Sequence, residues 1–201
     1  MNSRLIQTIY NNIIAIKDYN KILEFKDFDT ESCTGSIQYN KDIIDLSNCS
    51  SWYSEGLVKI HDEEMVRAWL VISLYFNYGY NQKKIIAIEK EYKSVGRDGK
   101  GGRVDVLVHN KDKKSEFLFV ECKAPDRYDE EIAQIDGQLF RLSRQEVERP
   151  NFLLYYTAKL QGDSLSDRVI LIDACLSLKK VDSQMRSTNG DKIFKQTRSL
   201  L

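Results

Sequence analysis

An α/β fold, with a mixed central sheet flanked by helices, is what this chain of 201 residues predicts, on three observations. Short apolar strands at 84–92, 103–110 and 116–124 follow one another with brief connections, as in a meander. Helical periodicity brackets that run, beginning at Asp62 before it and at Arg127 after it. Two more apolar strands, at 151–158 and 167–174, close the pattern.

In chain order, residues 4–25 (RLIQTIYNNIIAIKDYNKILEF) set Leu5, Ile6, Ile9, Ile13, Ile14 and Ile16 near helical spacing and predict an amphipathic helix. Lys26 to Glu55 is rich in Ser, Asn, Asp, Thr and Cys, with an apolar patch at Ile43 and Ile44, so it reads as loop with a little strand and as a domain boundary. The organisation expected is a helical and loop extension over 1–55, a core over 56–176 and a polar C-terminal tail over 177–201. HDEEMVRAWLVISLYFNYGY starts a helix with Asp62 as N-cap and Glu63 and Glu64 in the first turn, runs through Val66, Trp69, Leu70 and Leu74, and stops by Gly79. KIIAIEKEY alternates as a strand, SVGRDGKGG is a glycine-rich turn, RVDVLVHN a second strand, KDKKS a tight connection and EFLFVECKA a third strand. In RYDEEIAQIDGQLFRLSRQEV, Ile132, Ile135, Leu139 and Leu142 recur at helical intervals, so a second amphipathic helix crosses the sheet and Pro150 closes it.

Thirty basic and thirty acidic residues cancel, so net charge alone gives no reason to expect nucleic acid. The distribution is uneven: Met1 to Met65 holds six Lys/Arg against eleven Asp/Glu, leaving twenty-four against nineteen for the rest. An acidic front and a basic remainder suit a polyanion partner or an ordinary mixed surface. Cys33, Cys49, Cys122 and Cys175 form no CxxC pair, and His61 and His109 are the only histidines, which argues against a zinc site and a disulfide framework. No charged start leads into an apolar run and no apolar run approaches about 18 residues, so neither a signal peptide nor a membrane span is expected and the chain reads as cytoplasmic.

FVECKAP, Phe119 to Pro125, ends a strand that reads as buried with two charged side chains. Charged groups are seldom buried unless paired or bound to a metal. Alternation places Glu121 and Lys123 on one face with Phe117 and Phe119, and Leu118, Val120 and Cys122 on the other. On the preceding strand Asp105 is a lone acid between Val104 and Val106, and with the hairpin centred on Lys113 it falls opposite Glu121. Facing carboxylates repel. Lys123 relieves that repulsion in a structural ion pair, or a hard dication does, since Mg²⁺ takes oxygens from one or two carboxylates and keeps water and substrate phosphate in its other positions. In the second case Lys123 orients or deprotonates the nucleophile that attacks a phosphodiester.

GRVDVLV followed by FLFVECKAP resembles the bipartite PD-(D/E)XK nuclease signature. The fuller pattern, EEMVRAWL, IEKEY, R-x-D-hydrophobic and E-x-K-A-P, resembles the N-terminal nuclease domain of the R (motor) subunit of type I restriction enzymes, and LLYYTAKLQGDSLSDRVILID is similar to the strand pair that closes that domain. The resemblance covers Gly56 to Ala174. It implies a restriction-endonuclease-like core in which Asp105 and Glu121 ligate the metal, the Cys122 carbonyl is a third ligand and Lys123 acts in catalysis. Glu64 matches the acid of the first helix, as a metal ligand or as a first-turn acid favoured by the helix dipole; Glu89 or Glu91 on the first strand is a further candidate. The family often carries a glutamine, and a tyrosine four residues on, in the helix after E-x-K. Gln138 is the match here, with Leu142 at the tyrosine position and Val104 in place of the proline.

Lys93, Arg97, Lys100 and Arg103, with Lys83, Lys84 and Lys90, surround the first strand and its turn, and suit either DNA phosphates or a solvated edge. The function the resemblance implies is a Mg²⁺-dependent DNA endonuclease, with Mn²⁺ as a substitute metal and no sequence specificity of its own. Its partners would be double-stranded DNA and the modification and specificity subunits. No phosphate-binding loop occurs, so ATP would serve only a motor that this chain lacks, and the chain is expected to be either a fragment or a truncated gene product. A PD-(D/E)XK nuclease of another repair or defence system, or a non-catalytic DNA- or protein-binding module on the same fold, are the alternatives.

Overall fold

The apolar stripe near the N-terminus forms α1 (Ser3–Ile14), which starts at Asn2, whose side chain accepts from Leu5 N, and buries Leu5, Ile6, Ile9 and Ile13. These details come from a computed structural model that describes residues 2–47, 49, 56–92, 102–112, 115–131 and 150–174. The helix is shorter than the 4–25 pattern predicts. Asp18 takes a left-handed φ of 67°, a 3-10 turn spans Tyr19–Lys21, and the chain leaves as β1 (Leu23–Asp29).

The stretch that reads as loop holds most of β1 and all of β2 (Thr34–Tyr39), which with β3 (Leu57–Lys59) make a three-stranded antiparallel sheet. These strands are hard to see in sequence because LEFKDFD and TGSIQY are largely polar and a register shift between Lys26 and Asp29 breaks the alternation. That irregularity presses Gly35 (φ 141°) onto the β1 backbone, where an added Cβ would lie 2.9 Å from Lys26 O and 2.9 Å from Phe28 Cα. Gly35→Ala is therefore expected to cost about 1–3 kcal/mol, read as a lower urea midpoint. An unchanged midpoint would show that β1 yields without cost.

His61, not Asp62, caps α2 (Asp62–Phe76): its Nδ1 accepts from Glu64 N at 3.3 Å, leaving Asp62, Glu63 and Glu64 in the first turn at the positive end of the helix. Asp62 instead accepts from Asn2 N, tying together the starts of the two helices. Then come β4 (Ile86–Tyr92), β5 (Gly102–His109) and β6 (Glu116–Cys122), an antiparallel meander as expected. After the short α3 (Tyr128–Glu131), β7 (Phe152–Gln161) pairs parallel to β6, and β8 (Ser164–Asp173) pairs antiparallel to β7. The result is a mixed five-stranded sheet in the order β4-β5-β6-β7-β8. The rest of the expected crossing helix, 132–149, lies outside the described residues, as do 93–101 and the tail from 175.

α2 packs on β5, β6 and β7, and α1 packs on α2. Leu5, Ile6, Ile9 and Ile13 share one core with Met65, Val66, Leu70, Val106, Val120 and Tyr156. Each such side chain contributes about 1.5–3 kcal/mol by leaving water. Residues 43–47 and Cys49 run along the outer edge of β4, where Asp45 N donates to Ile86 O at 2.8 Å and Ile88 N donates to Asp45 O at 3.3 Å. This covers a sheet edge that would otherwise present unpaired backbone groups.

The β5–β6 ladder holds Val106↔Val120, Leu107↔Phe119 and Val108↔Leu118, the register of a hairpin centred on Lys113. A shift between Val108 and His109 follows, and Phe117 joins the same core cluster as Leu118, away from Phe119. Strict alternation, which would put Phe117 beside Phe119, fails at that shift.

Candidate active site

Strand pairing breaks where the charged residues begin. On its β4 side, β5 pairs Val106 with Ile88 and Val104 with Lys90, and the ladder holds no Glu89–Asp105 pair between them. Glu89 is left-handed, with φ 52°. Val104 packs in the same cluster as Leu107, so alternation is lost across Asp105. The Asp105 side chain accordingly meets α2, where Arg67 Nη2 lies 3.4 Å from its Oδ1.

Arg67 is 1 % exposed and sits among three carboxylates from three elements. Its Nη1 is 2.6 Å from Glu64 Oε2 and 2.7 Å from Glu89 Oε1. Outward from this hub, the Tyr39 hydroxyl of β2 donates to Glu64 Oε1 at 2.7 Å and Arg103 Nε reaches Glu89 Oε2 at 2.5 Å. A buried guanidinium with a fork of donors suits this task, because each buried carboxylate left without a partner would be costly. Burial lifts Glu89 to about 7 against the opposing pull of Arg67.

On the other side of Asp105, Cys122 N donates to Oδ2 at 2.7 Å, so this carboxylate is held at both oxygens. Lys123 Nζ is 2.7 Å from Glu121 Oε1 and 3.4 Å from Glu131 Oε2, while its backbone N donates to Tyr156 O at 2.9 Å. Glu121 is 3 % exposed. Burial first, and then the charge of Asp105, lift its carboxyl to about 8 in spite of Lys123. Burial opposes the Lys123 charge, but the Glu121 carboxylate outweighs it and holds the ammonium above its ordinary range.

The residues singled out by sequence are thus sorted. Asp105, Glu121 and Lys123 come together at the junction of β5 and β6. The Cys122 thiol is buried in the core, and only its backbone touches Asp105. Glu64 is turned away to Tyr39 and Arg67. The α2 acid whose charge acts on Glu121 and Lys123 is its neighbour Glu63, itself raised by burial and then by Asp105. Glu89 belongs to the Arg67 network, whereas Glu91 is exposed and faces Arg103 across the ladder. Arg103 is half-exposed and bonded to Glu89. Gln138, Lys93, Arg97 and Lys100 lie outside the described residues.

Sequence reasoning missed Arg67, Glu131 and the role of Glu63. Arg67 had a signal: a lone cation amid Met65, Val66, Ala68 and Leu70, three and four residues after two acids, is a charge that needs a buried partner. Glu131 had none, since only the tertiary path after β6 brings it to Lys123.

Among the described residues, no group of three or more His, Cys, Asp or Glu side chains stands together as a metal cage, and no helix is long and apolar enough to cross a membrane. No curated protein matches the chain. Residues 62–145, which run from the start of α2 through the β4–β6 meander and past α3, match the model of the family described as type I restriction enzyme R protein N terminus.

Proposed function

We propose that the chain is a Mg²⁺-dependent DNA endonuclease domain of a type I restriction R subunit, on a PD-(D/E)XK core over 56–176. The observation that carries this reading is the placement of Asp105 and Glu121 as neighbouring buried carboxylates with Lys123 bonded to Glu121, inside the segment that matches the family. The donor set fits Mg²⁺: two carboxylates that repel each other in a dry setting favour a hard dication, and Mg²⁺ needs only one or two of them because water and phosphate fill its remaining positions. Asp105 and Glu121 would hold it, with the Cys122 carbonyl as a third oxygen. Bound there, Mg²⁺ supplies charge stabilisation to a phosphodiester under attack.

The chain's own residues do the rest. Arg67 and Cys122 N fix Asp105 from two sides. Lys123, cationic at neutral pH, donates hydrogen bonds to the attacking water or the phosphate oxygens, and so acts by orientation and charge rather than by taking a proton. Gln138 and the cations Lys93, Arg97, Lys100 and Arg103 complete the proposed site and its hold on double-stranded DNA. Modification and specificity subunits, a cytoplasmic setting and an ATP-driven motor on another segment belong to the same reading.

The test is calorimetric titration of Mg²⁺ and Mn²⁺ into the protein alone and with DNA, beside Asp105→Ala and Glu121→Ala. The expected result is binding by the natural sequence and none by either variant. If the natural sequence takes up no metal even with DNA, the nuclease reading falls and Lys123–Glu121 is a structural ion pair.

A further inference from the structure

Tyr39 lies in β2, outside the segment 62–145 that matches the family, yet its hydroxyl ends inside the buried charge network of the candidate site. The connection is continuous. Tyr39 OH donates to Glu64 Oε1 at 2.7 Å, Arg67 Nη1 meets Glu64 Oε2 at 2.6 Å, and Arg67 Nη2 lies 3.4 Å from Asp105 Oδ1. Tyr39, Glu64 and Arg67 are each no more than 1 % exposed and Asp105 is 4 % exposed, so water does not screen the chain of contacts.

We propose that Tyr39 and Arg67 are positioning residues for Asp105, acting through Glu64, so that the N-terminal three-stranded sheet is a working part of the candidate active site. The physical reason is one of competition. Arg67 is shared by Glu64, Glu89 and Asp105, and the hydrogen bond from Tyr39 takes up part of the Glu64 demand. With that bond gone, Glu64 draws the guanidinium toward itself, and the contact with Asp105, already the longest of the three, is the one to lengthen. The Asp105 carboxylate then keeps only the Cys122 N–H as a fixed partner. Partners that orient a metal-binding carboxylate from behind set its affinity, which is where this inference rests on the nuclease reading.

Two measurements on the whole chain separate the two ideas. The first is metal-free: a double-mutant cycle in urea unfolding between Tyr39→Phe and Asp105→Asn, with Tyr92→Phe as control. Tyr92 also gives its hydroxyl to a carboxylate, Glu116, at the opposite end of β6 from Glu121. The expected result is a departure from additivity of about fivefold in the unfolding equilibrium for Tyr39 and additivity for Tyr92. The second is Mn²⁺ binding, where Tyr39→Phe weakens the metal by up to about tenfold and Arg67→Lys, which keeps the charge but loses the fork, by more. Additivity of Tyr39 with Asp105 overturns the relay whatever the metal does. Non-additivity in a protein that takes up no Mn²⁺, with or without DNA, upholds the relay and overturns the nuclease reading. Mn²⁺ affinity unmoved in both variants overturns the positioning role.

Discussion

Lys123→Met is expected to lower DNA cleavage by about 10²–10⁴-fold when the rate is measured at saturating Mn²⁺, a condition that removes any change in metal affinity from the comparison. The expectation follows from where the ammonium stands. Its Nζ is bonded to Glu121 and held protonated, at the edge of the carboxylate pair where a phosphodiester would meet the metal. A cation placed there before the reaction begins is worth more than one recruited from water, because no solvent has to reorganise as charge builds. Methionine keeps most of the side-chain volume and removes the charge. The fold tolerates the change, since Glu121 without Lys123 takes up a proton more readily still. Lys123→Arg, which restores charge with a different geometry, is expected to recover part of the lost rate. Full cleavage by Lys123→Met would leave the lysine as no more than a counter-ion.

How far the sequence revealed this site depends on distance along the chain. Asp105, Glu121 and Lys123 were legible because a charge inside a run such as RVDVLV or FLFVECK conflicts with its surroundings, and because a short connection fixes the register of two neighbouring strands. Which of Glu63 and Glu64 faces the site was not legible. Adjacent residues on a helix point about 100° apart, and both lie within reach of Arg67 along it. Tyr39 decides the matter from a strand whose polar face, LEFKDFD beside it, hides the sheet altogether. The flanking helix α1 was read correctly in kind but too long, because Ile16 and Leu23 continue the apolar spacing past a left-handed Asp18 that no periodicity records.

Glu121→Gln is expected to remove cleavage and, at the same time, make the protein more stable in alkaline buffer. The carboxyl of Glu121 is lifted to about 8 in the folded chain, from an ordinary value near 4.5. Between those values the folded protein keeps a proton that the unfolded chain has released, so this contribution to stability is complete below the ordinary value and is lost as pH rises to about 8. The slope for one such proton is about 1.4 kcal/mol per pH unit. Glu89 acts in the same direction but is already half ionised at about 7, and Glu63, raised by burial, adds to the same fall. His61, lowered by burial from its ordinary 6.5, works in the opposite sense at more acidic pH. The interval from pH 7 to pH 8 therefore belongs chiefly to Glu121. Over that interval, metal-free urea unfolding of the natural sequence should lose stability at close to the one-proton slope, and Glu121→Gln should lose most of that dependence. Equal slopes in the two proteins would mean that Glu121 is ionised throughout and paired to Lys123 alone. A steep slope abolished by the glutamine would show that ionising the buried Glu121 carboxyl costs the folded protein stability even with Lys123 beside it.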